Sequence, residues 1–219
     1  MSKVIIFGLS DYAELAHFYL KHDSQHEVVA FSVSQAYMPE GKRFKDLPVL
    51  EFETIEQTYP PAEFKFFAPM SPRKMNHDRE KIFLEIKAKG YQLISYVSSK
   101  ATTFDNKIGD NCFILEDNTL QPFTTIGDNV VLWSGNHIGH HGNIGDHVTF
   151  TSHVVMSGHC DIGPYSFLGV NATLRDGIKI GEGSFIAMAA AITKSTDPWG
   201  VYKGNPAEKM KLSSMDLKF

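Results

Sequence analysis

Five of the ten histidines in this 219-residue chain fall between residues 137 and 153. They are His137, His140, His141, His147 and His153, and His159 lies just beyond. Imidazole is the side chain that gives and takes protons near neutral pH and is also the commonest metal ligand. Such a cluster therefore raises general-base chemistry and metal ligation together. The spacing favours the base. The only cysteines, Cys112 and Cys160, form no CxxC pair, and neither accompanies a histidine at the separation of a zinc ligand set. The expectation is a site without a metal, in a reduced compartment, with no disulfide between cysteines 48 residues apart.

The elements that position these histidines form a repeat. From Ile108 a large aliphatic or aromatic residue returns at every sixth position: Ile108, Ile114, Leu120, Ile126, Leu132, Ile138, Ile144, Phe150, Met156, Ile162, Leu168, Leu174, Ile180, Ile186 and Ile192. Glycine directly follows seven of the fifteen, and mostly small or β-branched residues stand four places on. A period of six matches neither an α-helix, with about 3.6 residues per turn, nor an ordinary strand. It matches a solenoid. If each hexad makes one short side and a corner, three hexads close a triangular coil of eighteen residues. Five such coils would stack at roughly the 4.8 Å strand spacing, placing residues eighteen apart one above another.

The segments IGDN, IGHHGNIGDH, IGPYSFLGVNATL and IGEGSF, with the closing KGNPAEK, resemble the hexapeptide-repeat acyltransferases. Preceded by about a hundred residues of alternating strands and helices, they resemble in particular the bacterial enzymes that acylate sialic acid or nucleotide-linked amino sugars. The resemblance implies a Rossmann-like α/β domain (1–100), a left-handed parallel β-helix (101–207) and a short C-terminal tail (208–219). Left-handedness comes from the resemblance, since periodicity shows no hand and most crossovers are right-handed. It also implies an acyl-CoA-dependent N-acyltransferase that uses acetyl-CoA or a short-chain acyl-CoA. The acceptor would be a dTDP- or UDP-linked amino sugar of surface-polysaccharide biosynthesis, and the enzyme a cytoplasmic homotrimer. An O-acetyltransferase for a sugar hydroxyl or free sugar acid, and a non-catalytic nucleotide-sugar-binding trimer, are the alternatives.

Residue by residue, the resemblance places His140 where relatives carry a catalytic base. The acid that usually follows that base is His141 here. Gly158, eighteen residues on, lies one coil above His140, with its backbone N–H placed to meet a thioester carbonyl. His141 should stack under His159 by the same rule. His137, His147 and His153 read instead as corner histidines bonded to a neighbouring coil or to solvent. No two histidines show the spacing of the zinc ligands in the gamma-class carbonic anhydrases, which share this coil. Asn171, Ala187, Ala189, Lys194, Lys203 and Pro206, with Gly158, are the expected coenzyme A contacts: small residues for the pantetheine arm and lysines for the phosphates.

Within the N-terminal hundred residues, 3–8 read as a buried strand and Tyr12 to Leu20 as a helix. Strands at Glu27–Val33, Phe64–Ala68 and Tyr91–Val97 and a helix at Asp78–Lys89 complete a small parallel sheet. The turn Gly8, Leu9, Ser10, Asp11 offers N–H groups to a diphosphate. Ser32, Pro69 and Met70, at the ends of neighbouring strands, complete the expected nucleotide-sugar site. Relatives carry a Gly-His-Gly-like loop and an acidic residue after the second strand, where this chain has Asp11-Tyr12-Ala13 and Ser32-Val33-Ser34.

A net charge of -4 with scattered Lys and Arg provides no basic stripe for nucleic acid. No run of about 18 apolar residues suggests a membrane span.

Overall fold

The computed structural model describes residues 1–217. The N-terminal unit alternates β1 (Lys3–Phe7), α1 (Asp11–His22), β2 (Glu27–Val33), β3 (Arg43–Phe44), β4 (Leu47–Glu51), β5 (Phe64–Phe67) and α2 (His77–Ala88). Its sheet runs in the order β3-β4-β2-β1-β5, with β4, β2, β1 and β5 parallel and β3 an antiparallel edge. The strands are buried on both faces, as a sheet covered by helices requires: Val4, Ile5, Ile6, Phe31, Phe66 and Phe67 are inaccessible. The hairpin of β3 and β4 was not foreseen, because Pro48 interrupts the apolar run and proline argues against a strand. It is tolerated on this edge pair, opposite Arg43.

Residues 91–97, expected as one strand of that sheet, divide. Leu93 bridges to Phe66, whereas Tyr96–Val97, here β6, pairs with Phe113–Ile114 and so starts a second sheet. The chain thus passes from one domain to the other inside a single extended stretch.

From there the chain is a left-handed parallel β-helix with three faces. The first face stacks β6 under Phe113–Ile114, Val131–Leu132, Thr149–Phe150, Phe167–Leu168 and Phe185–Ile186. The second stacks Thr119–Leu120, His137–Ile138, Val155–Met156, Thr173–Leu174 and Ala191–Ile192, and the third runs from Thr125–Ile126 to Lys179–Ile180. Register is eighteen residues between the coils from Phe113 to Ile192, so Ile138 sits between Leu120 and Met156. It is seventeen where β6 enters and sixteen where Gly200–Lys203 closes the first face. The sixth-position residues fill the interior with at most 4% of their surface exposed from Ile114 to Ile192. Each contributes roughly 1.5–3 kcal/mol of burial.

The corners follow a second rule. Every sixth residue from Asp105 to Ala189, fifteen in all, has a positive φ between 52° and 79°. The left-handed region admits Gly readily and Asn, Asp and His more often than other residues. Most of the corner residues are of these types. His141, His147, His153 and His159 are all corner residues, so backbone geometry accounts for much of the histidine cluster.

The segment 208–213, expected as tail, is a strand (Glu208–Ser213) antiparallel to Gly200–Lys203, which itself extends the first face beyond Phe185–Ile186. Residues 218 and 219 of the expected tail lie outside the described residues.

The two domains are pinned by Arg79 of α2, which is 1% exposed. Its guanidinium donates to the carbonyls of His147, Val148 and Met70 and to Thr149 Oγ1, at 2.9 to 3.3 Å. No carboxylate neutralises it among the described residues, and burial pushes its pKa down to about 10. α1 covers the first face of the β-helix through the cluster that joins Tyr19 to Phe113, Leu115 and Val131.

Candidate active site

His140 stands at the corner between the second and third faces, between the strands His137–Ile138 and Asn143–Ile144. Its backbone N–H is held by Gln121 Oε1 at 3.0 Å, and its carbonyl accepts from the N–H of His159 at 2.8 Å. Its Nδ1 lies 3.0 Å from Nδ1 of His141. His141 therefore serves as the partner of His140. With the shared proton on His140, its Nε2 is left as the lone-pair atom.

That edge of the ring faces Gly158. A Cβ at Gly158 would stand 2.8 Å from His140 Cε1, 3.0 Å from its Nε2 and 3.1 Å from Oδ1 of Asp176. The glycine thus lets two groups close on one point of the backbone, a narrow slot with no room for a side chain, the imidazole below and a carboxylate above. Among the described residues the N–H of Gly158 donates to no acceptor, although the residue is buried. Asp176 was overlooked in the sequence. The signal was available, since it lies two coils of eighteen above His140. Lys194, one coil higher, continues the column and is exposed.

The other expected coenzyme contacts lie elsewhere. Asn171 and Ala189 are corner residues between the first and second faces, with φ of 60° and 56°. Ala187 is tied to the strand Gly200–Lys203 by its N–H to the Tyr202 carbonyl at 2.9 Å, and Lys203 and Pro206 border a 390 Å³ depression beside that strand. One chain therefore brings together His140, His141, Gly158 and Lys194 at one corner, and Asn171, Ala187, Ala189, Lys203 and Pro206 near another.

The nucleotide-sugar candidates gather at the C-terminal ends of β1, β2 and β5, where ligands of open parallel sheets bind. Gly8 has a φ of 106° and gives its N–H to the Ser32 carbonyl. Ser10 precedes α1 without a side-chain cap. Among the described residues the N–H groups of Ser10, Asp11, Tyr12 and Ala13 meet no acceptor, an arrangement suited to an anion. Ser32 Oγ is buried without a partner. Pro69 and Met70 follow β5, and the Met70 carbonyl is occupied by Arg79. Tyr12 meets Trp133 edge-to-face at 5.5 Å, which sets this crevice against the first face of the β-helix. Burial raises the Tyr12 phenol.

His147 and His153 are corner residues, and His147 Nδ1 is bonded to Asn129 in the coil below at 2.9 Å. His137 is an exposed strand residue.

Residues 107–140 match the family described as bacterial transferase hexapeptide (six repeats), and residues 161–194 match the hexapeptide repeat of succinyl-transferase. Both matched stretches lie within the β-helix. His140 is the last residue of the first match. No curated protein sequence matches the chain. Among solved structures, the acetyltransferase domain of PglB from Neisseria gonorrhoeae FA1090 is 18% identical, covering 96% of this chain and 100% of that one, with a TM-score of 0.81. A mutant of perosamine N-acetyltransferase from Caulobacter crescentus, in complex with CoA and GDP-perosamine, is 16% identical over 96% and 97% of the two chains, with a TM-score of 0.84. WeeI from Acinetobacter baumannii AYE is 21% identical over 96% and 100%, with a TM-score of 0.80. These likenesses are of fold, and they cover the N-terminal unit as well as the β-helix. Among the described residues no helix is long and apolar enough to cross a membrane.

Proposed function

We propose that this protein transfers an acyl group from coenzyme A to the amino group of a nucleotide-linked amino sugar, with sites built between the chains of a homotrimer. The slot above His140 carries this reading: an imidazole lone pair, an unpaired backbone donor and a carboxylate converge on the space that a side chain at Gly158 would fill. The fold is shared with an enzyme whose crystals hold CoA and GDP-perosamine.

In the proposed reaction the sugar amine attacks the thioester carbonyl carbon and gives a proton to His140 Nε2. The carbonyl oxygen becomes an oxyanion facing the Gly158 N–H. As the intermediate collapses, the carbon–sulfur bond breaks and the coenzyme thiolate takes the proton back from the imidazolium, leaving an amide and free CoA. Asp176 supports the positive charge that appears first on the amine and then on the imidazole. His141 keeps the His140 lone pair turned to the slot.

The positions of the two half-sites support an assembly of several chains. The crevice around Gly8 to Asp11 abuts the first face through Trp133, whereas His140 occupies the corner opposite that face. Within one chain the β-helix stands between them, and in the proposed trimer a second copy brings its His140 corner to the crevice. The same step unites the two groups of coenzyme contacts across a groove between neighbouring helices.

The test is CoA release from acetyl-CoA and short-chain homologues with a panel of UDP-, dTDP- and GDP-linked amino sugars, together with the free sugars and matched hydroxyl sugars. Turnover only with nucleotide-linked amines is the expected result. Turnover confined to a hydroxyl or free sugar, or none at all, overturns it.

A further inference from the structure

Three imidazoles from two consecutive coils converge at the corner that carries His140. His141 and His159 are successive residues of one left-handed corner column, with rings stacked at 5.1 Å and 16°. His140 stands edge-on to both, at 88° and 87°, with centroids 5.1 and 5.0 Å away. One ring nitrogen from each lies within 4.8 Å of the others, and all three residues are exposed. Among the described residues no carboxylate is paired with any of the three, and the His159 ring has no hydrogen bond.

We propose that His140, His141 and His159 form a binding site for a divalent transition-metal ion such as Zn2+, and that its occupancy blocks acyl transfer. Neutral imidazole suits Zn2+, Ni2+ and Cu2+, whereas Mg2+ and Ca2+ prefer oxygen ligands. Zinc–nitrogen bonds of about 2.0–2.1 Å draw ligand nitrogens closer together than these now stand. The rings are exposed, so side-chain rotation suffices and the coil backbone stays in place. Three protein ligands leave a fourth position for water, and the ion exchanges bound waters for imidazole nitrogens without any redox step.

The eighteen-residue rule stacks His141 under His159, but it does not show that the His140 ring turns edge-on to both. The corner geometry assembles the ligand set. Ligation engages the His140 lone pair that would otherwise accept the amine proton, so metal binding and base catalysis exclude each other. This inhibitory consequence rests on the reading of His140 as base, whereas the metal site itself does not.

The test uses tag-free, chelator-treated full-length protein, as wild type and as His159→Asn. Asparagine keeps the left-handed corner but offers no ring nitrogen. Co2+ is followed by its visible absorption and Zn2+ by calorimetry and by competition with Co2+. Wild type is expected to bind about one ion per chain at a three-histidine site. Removal of even a group that only hydrogen-bonds a ligand weakens metal affinity by about 10- to 100-fold, so the loss of a ligand in His159→Asn should cost at least about tenfold. Turnover of wild type should fall along the zinc binding curve, and His159→Asn, fully active without metal, should need correspondingly more zinc. Absence of saturable binding, or equal affinity in His159→Asn, overturns the site. Saturation without loss of turnover upholds the site, overturns the inhibition and counts against His140 as the base.

Discussion

His140 Nδ1 and His141 Nδ1 stand 3.0 Å apart, on rings set at 88° to each other. Two imidazole nitrogens at that distance share one proton. The pair orients the His140 lone pair as a carboxylate would, but with a neutral acceptor. His140→Ala is expected to lower turnover on the amino-sugar acceptor by about ten- to a thousand-fold with little change in coenzyme affinity. His141→Ala should cost less, and the double variant no more than His140→Ala alone, because the second residue acts only through the first. Fully additive losses in steady-state kinetics would dissolve the pair.

Gly158→Ala tests the slot. Its Cβ would fall 2.8 Å from His140 Cε1 and 3.1 Å from Asp176 Oδ1. An exposed histidine ring can swing aside, so the melting temperature should hardly move, while the displaced base should cost about tenfold or more in kcat/KM. Gly158→Val should lose more. An active, fully assembled Gly158→Val would place the thioester elsewhere.

Much of this architecture was legible because a six-residue period admits few structures, and Ile114 to Ile192 occupy the interior positions it assigns. The eighteen-residue register carried over directly to His140 and Gly158. The corner rule was harder to read, because left-handed residues are chemically mixed: Phe123, Tyr165 and Ala189 occupy the same conformation as Asn129 and His147. A concentration of histidines therefore looked like chemistry where part of it answers a backbone need. Arg79 was illegible for another reason. A helix pattern shows which face is apolar but not that a charged residue on it will meet the carbonyls of residues about seventy positions away.

Arg79→Met should destabilise the fold without touching the slot. It leaves the His147 and Met70 carbonyls without a donor, whereas the Val148 carbonyl keeps the Val131 N–H and Thr149 Oγ1 keeps its bond to Asn76. Each buried acceptor left without a partner costs about 1–3 kcal/mol. Urea denaturation should show a loss of stability of that order, as a lower midpoint at an unchanged slope. An unchanged midpoint would mean that water replaces the guanidinium.

The junction of α2 with the β-helix should respond to acid through His147. Burial lowers its pKa, the nearby Arg79 charge adds to that effect, and Glu80, 3.7 Å away, opposes it. The unfolded chain therefore binds a proton at this residue at a higher pH than the folded one. Stability should be full above the unfolded value of about 6.5 and fall as pH drops below it. Glu80, whose pKa is lowered by its hydrogen bonds from Tyr165 and His77 despite burial, adds a further loss at pH values below the ordinary carboxylate range. His147→Asn would continue the Asn111–Asn129 ladder and keep the left-handed corner. Its melting temperature should vary less than that of wild type between about pH 5 and 7, and equal slopes would remove His147 from the account.

The separation of the Gly8 crevice from His140 within one chain leads to the most discriminating test. Ser10→Asp retains a good helix cap but sets a negative charge where a diphosphate would bind. His140→Ala removes the base, so each variant alone should be nearly inactive at acceptor concentrations well below KM. If every site pairs the crevice of one chain with the corner of the next, trimers mixed by co-expression contain some sites with both parts intact. Random assembly at equal amounts makes that fraction about a quarter, so about a quarter of wild-type activity should return. Mixing the separately purified variants without exchange of chains should restore nothing. Activity that stays at the level of the single variants in confirmed mixed trimers would mean that each chain completes its own site, and that the crevice and His140 meet by a movement within the chain.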